Sequence, residues 1–219
     1  MDRHDWDTRY AQAPLVWSAG PNRFLEEEAA DLPPGRALDV ACGEGRNAIW
    51  LASRGWRVTG VDYSPVAIEK ATRIASERGV EVEWVVADVT AWTPEPRAFD
   101  LVVVMYLQLP EDERAVAYGR AAEAVAAGGT LLVVAHDVDN LAHGYGGPKD
   151  PAVLTTPESV VAMIGDLTVV RAERVRRPVE TEAGTVDAID TLVRATRSRA
   201  RVSHMSGGAQ ETGDDSTSA

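Results

Sequence analysis

The chain has 219 residues, 45% of them apolar, and a formal net charge of −12. That length can bury one substantial core. The negative balance argues against a nucleic-acid or anionic-membrane surface, since both need a basic footprint. A single cysteine, Cys42, excludes an intramolecular disulfide and a metal site built from several thiolates.

Residues 1–22 mix charges with the large aromatics Trp6, Tyr10 and Trp17. Rings of this size are costly to leave in water, so the stretch is expected to fold back, either as an extra helix or as a lid over a ligand. The start of the chain, Asp2-Arg3-His4-Asp5, lacks the apolar core of a secretion signal. The longest apolar run, Leu101 to Leu107, is far too short to cross a bilayer. A soluble, cytoplasmic protein is the expectation. Phe24 to Leu32 reads as a short amphipathic helix, capped by Asn22 and stopped by Pro33-Pro34-Gly35.

Residues 36–62 organise the rest. An apolar run (Ala37, Leu38, Val40, Ala41) enters a turn with Gly43 and Gly45, and a helical pattern (Ala48, Ile49, Leu51, Ala52) continues up to Gly55. A second apolar run then ends on Asp62. Strand, glycine turn, helix, strand and carboxylate make half of a nucleotide-binding α/β unit. Glycines at the turn let a ligand approach the backbone, and a carboxylate at the next strand end can accept two hydrogen bonds from a ribose diol.

Ser64-Pro65 supplies a cap and a first-turn proline. Apolar residues then recur at helical spacing from Val66 to Ala75. Val82 to Val86 reads as a buried strand leading to Asp88, and Trp92 to Arg97 as a loop. Phe99 to Met105 is a continuous, β-branched run, as in a central parallel strand buried on both faces. Pro110 and three acids open an Ala-rich helix that should close at Gly128-Gly129, ahead of a strand from Thr130 to Ala135.

From His136 to Thr155 a Gly- and Pro-rich stretch reads as a long loop, of a length usually functional or disordered. Thr156-Pro157-Glu158 caps a helix to about Ile164. Leu167 to Val175 and Val186 to Ala195 form a hairpin whose turn holds Pro178 and Gly184. Residues 198–219 are Ser, Thr, Gly and acid with nothing to bury, so a disordered acidic tail is expected. Strands alternating with helices predict a parallel sheet covered on both faces. The expectation is one domain spanning 1–197, with 1–35 as its lid or helical segment.

Gly43-Glu44-Gly45-Arg46-Asn47-Ala48 fits the dinucleotide pattern G-x-G-x-x-[G/A], with Asp62 at about the expected ~20 residues. A nicotinamide-dependent oxidoreductase is therefore one reading, and a non-catalytic cofactor-binding module another. Two acids pull elsewhere. Asp39 lies inside the first strand, where a carboxylate would repel a diphosphate but welcome a cationic amino-acid group. Asp88 comes after the third strand, placed to accept from an adenine amino group.

Asp39-x-Ala41-x-Gly43-x-Gly45, Asp62, Asp88 and Phe99-Asp100-Leu101-Val102 together resemble class I S-adenosylmethionine-dependent methyltransferases. Cys42-Gly43-x-Gly45-Arg46-Asn47 is similar to the tellurite-resistance and thiopurine-type small-molecule enzymes of that class. The resemblance implies a Rossmann-like three-layer α/β sandwich, with a mostly parallel seven-stranded sheet ending in an antiparallel hairpin. It implies S-adenosyl-L-methionine as cofactor, leaving as S-adenosyl-L-homocysteine. Carried over by position, Asp39 would face the methionine amino group, with the backbone of Ala41, Gly43 and Gly45 lining the methionine end. Asp62 would hold the ribose, with Tyr63 beside the adenine. Asp88 and Val89 would read the adenine edge, and Met105 would lie near the transferable methyl. The final hairpin lacks the His-Arg acceptor pair of the tellurite-type enzymes.

The acceptor implied is a small molecule offering a thiol, chalcogen, amine or hydroxyl. Candidate acceptor-binding residues are Trp6, Tyr10, Trp17, Tyr106, His136, His143 and Tyr145. His143 is the leading choice for a catalytic base, with Tyr106 as the other candidate. His136, Asp137, Asp139 and Asn140 lack the spacing of a Mg²⁺ site, so no metal is expected.

Overall fold

The computed structural model describes residues 2–16 and 20–199. Trp17 and residues 200–219 of the expected tail lie outside the described residues. Seven strands form one sheet in the order β3-β2-β1-β4-β5-β7-β6. They are β1 (Arg36–Val40), β2 (Arg57–Asp62), β3 (Glu83–Val86), β4 (Phe99–Met105), β5 (Val125–His136), β6 (Thr168–Thr181) and β7 (Gly184–Thr196). The first five run parallel, and β7 enters antiparallel between β5 and β6.

Alternation along β4 builds the two faces. Val102 and Val104 join Leu38, Val40, Leu131 and Val133 on one side. Leu101 and Val103 join Ala37, Leu132 and Leu192 on the other. Successive side chains of a strand point oppositely, so this unbroken apolar run must be covered twice. The first face takes α5 (Glu111–Ala124) and α7 (Pro157–Met163), through Tyr118, Ala121 and Val160. The second takes α2 (Arg23–Ala29) and α3 (Arg46–Ser53), through Leu25, Ala48 and Leu51. The expected three-layer architecture with a closing hairpin is what the chain forms.

Ser64 caps α4 (Pro65–Glu77) by accepting from Ala67 N, as its Ser-Pro start implies. Residues Arg3–Gln12 form α1, opened by a reciprocal Asp2/Asp5 capping box. Its Trp6 and Tyr10 are buried with Ala67 of α4. The aromatic N-terminus thus docks on α4. Among the described residues no helix is long and apolar enough to cross a membrane.

Four expectations need correction. The third strand is not buried: β3 pairs only with β2 at the sheet edge, and Val86 is 50% exposed. Gly128-Gly129 does not close a helix, because α5 ends at Ala124 and β5 begins at once. Instead Gly128 has φ 83° inside a register slip between β4 and β5. A Cβ on Gly129 would sit 2.9 Å from the Phe99 carbonyl oxygen, so only glycine fits this bulge. The stretch from 136 to 155 is ordered: it contains α6 (Asn140–His143), a 3-10 turn at Pro151–Val153 and a bridge between Asp137 and Thr155. Finally, Pro178 lies within β6 opposite Asp187, and the hairpin turns between Thr181 and Gly184. Because β6 is an edge strand, a missing N–H there costs the ladder nothing.

Candidate functional site

In this sheet the strand order reverses at β1, whose neighbours are β2 and β4. Ligands of open α/β sheets bind at such a switch point, outside the carboxyl ends of the strands. A cleft opens there, holding about 810 Å³ of empty space with its open mouth included. Ala41, Gly43, Asp62, Tyr63, Asp88, Val89 and Met105 line it, joined by Trp6 and Tyr10 from α1 and by Tyr106 after β4.

The cleft floor is backbone held by carboxylates. Ala41 and Gly43 there have positive φ, at 56° and 55°, as does Gly45 behind them at 75°. Gly43 N donates to Asp62 Oδ2 at 2.8 Å, and Ser64 N donates to Asp62 Oδ1 at 2.9 Å. Each Asp62 oxygen keeps further acceptor capacity toward the cleft. Burial raises the Asp62 pKa, against the lowering effect of those two amides. Asp88 is exposed on the rim, where its Oδ1 accepts from Thr90 N and Thr90 Oγ at 2.8 and 2.7 Å.

Asp39 and Gly45 do not line the cleft but stand behind it. Asp39 is fully buried, and its Oδ2 accepts from Ala48 N at 3.0 Å, tying β1 to α3. Its Oδ1 is buried with no hydrogen-bond partner among the described residues. Burial pushes its pKa up to about 7; the Ala48 amide and the Arg46 charge pull down, and Asp62 adds to the rise. Gly45 is also closely packed, since a Cβ would meet the Trp84 ring at 2.4 Å. Cys42 is buried, with its thiol pKa pushed up by that burial and by Asp39 and Asp62. Arg46 lines the cleft.

Glu44, between the two glycines, is also buried. It accepts from Val16 N at 2.9 Å and pairs with Lys70 at 3.1 Å. Lys70 also donates to the carbonyls of Tyr10 and Ala13, and Ser64 Oγ donates to Asp7 Oδ1. The glycine turn is thereby latched to the N-terminal helix. Sequence reasoning misses Glu44 and Lys70, whose partners lie 26 or more residues away.

A second cavity adjoins the first, and the two share Gln108. His136, Tyr145, Lys149, Arg9 and Arg177 are among its lining residues. At the corner between the cavities, Tyr106 has φ 58° and its hydroxyl donates to Asp190 Oδ2 at 2.7 Å. Arg177 Nε donates to the same oxygen at 2.8 Å, and His136 Nδ1 lies 3.4 Å from Asp190 Oδ1. Burial works to raise the Asp190 pKa, but the nearby His136 imidazole, bonds from Arg177 and Tyr106 and the Arg177 charge hold it below the usual carboxylate range. The Tyr106 phenol is pushed up by burial and by Asp190.

Asp190 and Arg177 do not stand out in the sequence. A lone acid inside the apolar run Ala188-Ile189-Asp190-Thr191-Leu192-Val193 is the available signal. His143 is exposed at the end of α6 and lines neither cavity. Tyr145 and Lys149 stand four apart, a spacing that shares one face on a helix. The intervening Gly146 and Gly147 both have φ 71°, so no helical turn forms there. Among the described residues no three His, Cys, Asp or Glu side chains group as a metal site.

Fold and cleft together define a Rossmann-like methyltransferase architecture. Residues 37–129 match the family model described as a methyltransferase domain. Over that stretch, which is under half of the chain, the protein is similar to S-adenosylmethionine-dependent methyltransferases. It is 32% identical over 106 residues to a 2-heptyl-1-hydroxyquinolin-4(1H)-one methyltransferase of Mycobacteroides abscessus, an overlap of 47% of each chain. It is 28% identical to thiocyanate methyltransferase 1 of Brassica oleracea over 75% of this chain and 74% of that one. The chain thus spans about half the length of the first of these relatives. A structure solved in work on the conversion of a disulfide bond into a thioacetal group during echinomycin biosynthesis superposes with a TM-score of 0.73. It is 23% identical and covers 92% of this chain and 94% of its own, a likeness of fold.

Proposed function

We propose that this protein transfers a methyl group from S-adenosylmethionine to a small molecule, with the cofactor in the cleft over β1, β2 and β4. The observation that carries this reading is the acidic setting of that cleft. Asp62 and Asp88 line it, and Asp39 stands behind it with a buried, unpartnered oxygen. A diphosphate would meet like charge there, whereas an adenosyl group with a cationic amino-acid tail finds acceptors at both ends. The residues present fit the cofactor on that ground.

Asp62 would accept from both ribose hydroxyls, using lone pairs that Gly43 N and Ser64 N leave open. Asp88 and Val89 would meet the adenine edge, with Tyr63 beside it. Asp39, together with the backbone at Ala41 and Gly43, would face the methionine end, with Met105 near the methyl. The cofactor supplies an electrophilic methyl on a sulfonium whose charge is lost as the bond breaks. Trp6 and Tyr10 exclude water from that step, which burial favours. The unit doing this is residues 1–197, with 1–35 as its lid or helical segment: α1 and the residues after it are latched over the cleft by Lys70 and Glu44, while α2 packs on the sheet. The names of the hydroxyquinolinone and thiocyanate relatives point to small acceptors, and the second cavity beside Tyr106 is where one would sit.

Parallel titrations with S-adenosylhomocysteine and NADH test the reading. Micromolar binding of the homocysteine compound with no NADH binding is expected; the reverse would favour a nicotinamide enzyme. Binding without methylation of any thiol, phenol, amine or chalcogen oxyanion would favour a non-catalytic module.

A further inference from the structure

The second cavity says more about the acceptor, provided that the methyl-transfer reading, on which the inference rests, holds. We propose that His136 takes the proton from the acceptor, that Asp190 positions it, and that the acceptor's nucleophile is a protonated hydroxyl or thiol. The sheet itself creates the pair. His136 ends β5, and Asp190 is its antiparallel partner on β7, so both side chains leave the same face. Nδ1 lies 3.4 Å from Asp190 Oδ1, long for a hydrogen bond but typical of catalytic pairs before substrate tightens them.

Asp190 is fully buried and held ionised by Arg177 and Tyr106. An ionised carboxylate only accepts, so the imidazole nitrogen facing it must carry the hydrogen. That leaves the lone pair of the neutral ring on Nε2. The ring has a neighbour on one side and close backbone on the other. Tyr106 lies against it with centroids 4.6 Å apart, and a Cβ on Gly147 would come 3.2 Å from Nδ1. Nδ1 is the buried nitrogen, and Nε2 is the one left to face the cavity that His136 lines. An imidazole oriented by a buried carboxylate, with its free nitrogen toward the reactant, is the general-base arrangement.

Other candidates fit this role less well. Burial and Asp190 keep the Tyr106 phenol protonated, and Arg177 and Lys149 hold no free lone pair when charged. In the step, the acceptor O–H or S–H proton passes to Nε2 while oxygen or sulfur bonds to the methyl carbon. The electron pair of the breaking carbon–sulfur bond returns to the cofactor sulfur, leaving a thioether. The imidazolium, stabilised by Asp190, then releases its proton to solvent. An acceptor that arrives already ionised would need none of this.

The first test needs no acceptor. In the full-length protein labelled with ¹⁵N-histidine and loaded with S-adenosylhomocysteine, neutral His136 should carry its hydrogen on Nδ1, assigned by comparison with His136→Gln. Hydrogen on Nε2 would overturn the proposal. The second test offers S-adenosylmethionine with phenols, aryl thiols, aliphatic amines, iodide and thiocyanate. Methylation of a phenol or thiol should fall about 10²–10⁴-fold in His136→Gln, with S-adenosylhomocysteine affinity unchanged, and should also fall in Asp190→Asn. Turnover confined to amines or ready-made anions, or a phenol rate in His136→Gln within about threefold of the parent, would overturn it. Should no acceptor turn over, the tautomer decides. Failure of the unaltered protein to bind S-adenosylhomocysteine would instead count against the methyl-transfer reading.

Discussion

The two cavities share Gln108 yet are built from different materials. The cleft over β1 and β2 is largely backbone: amides of Gly43, Ser64 and Ala48 donate to Asp62 and Asp39, all within 36–64. The corner over β5 to β7 is side chain on side chain, joining Tyr106, His136, Arg177 and Asp190 across up to 84 residues of sequence. A backbone cradle suits a ligand that never changes, because its geometry is set by a turn. A side-chain corner can be rewritten one residue at a time, which suits the part that selects an acceptor.

The sharpest way to break this contrast is to empty the corner. Asp190→Ala leaves Arg177 and the Tyr106 hydroxyl without their buried acceptor, and should destabilise the fold by about 3 kcal/mol, measured by urea denaturation. A loss under about 1 kcal/mol would mean the corner is not preformed. In the cradle, Asp62→Ala should weaken S-adenosylhomocysteine binding by about 1–3 kcal/mol in calorimetry. An unchanged dissociation constant would put the ribose elsewhere.

A pH series tests the next link. Burial holds the Asp39 pKa at about 7, above the ordinary aspartate value of 3.8. The folded state therefore binds a proton that the unfolded state has lost between those values, so this carboxyl lowers stability as pH rises through the window. Ligand binding runs the other way, since the ionised form attracts the ammonium group of the amino-acid tail more strongly. S-adenosylhomocysteine affinity should rise from about pH 6 to about pH 8, and Asp39→Asn should flatten that rise. The smallest effect is at Ala41, a side chain in the left-handed region at φ 56°. Ala41→Gly should relieve up to about 1 kcal/mol, read as a higher melting temperature with ligand affinity unchanged.

Legibility in the sequence divides the same way. The glycine turn, the strand-end acids and the parallel sheet can be read because each is a short-range pattern of period and spacing. The corner cannot, because nothing local says that Tyr106 will meet a strand 84 residues on. The misreadings share one cause: local signals do not report pairing. Val82 to Val86 is apolar enough for a core strand, yet β3 has one neighbour. Gly128-Gly129 and Pro178 look like stops, yet one makes a bulge and the other sits on an edge where its missing N–H is harmless. His143 is exposed and lines neither cavity, whereas His136 lines the second and pairs across the strands with Asp190, neither of which is visible in the sequence.

Whether the strand-end carboxylates hold an adenosyl group joined to a cationic amino-acid tail is tested most directly by a crystal structure with S-adenosylhomocysteine. Both ribose hydroxyls within hydrogen-bond distance of Asp62, adenine beside Asp88 and the amino group toward Asp39 is the predicted result. A ligand bound elsewhere, or one whose amino-acid tail points away from Asp39, would contradict it.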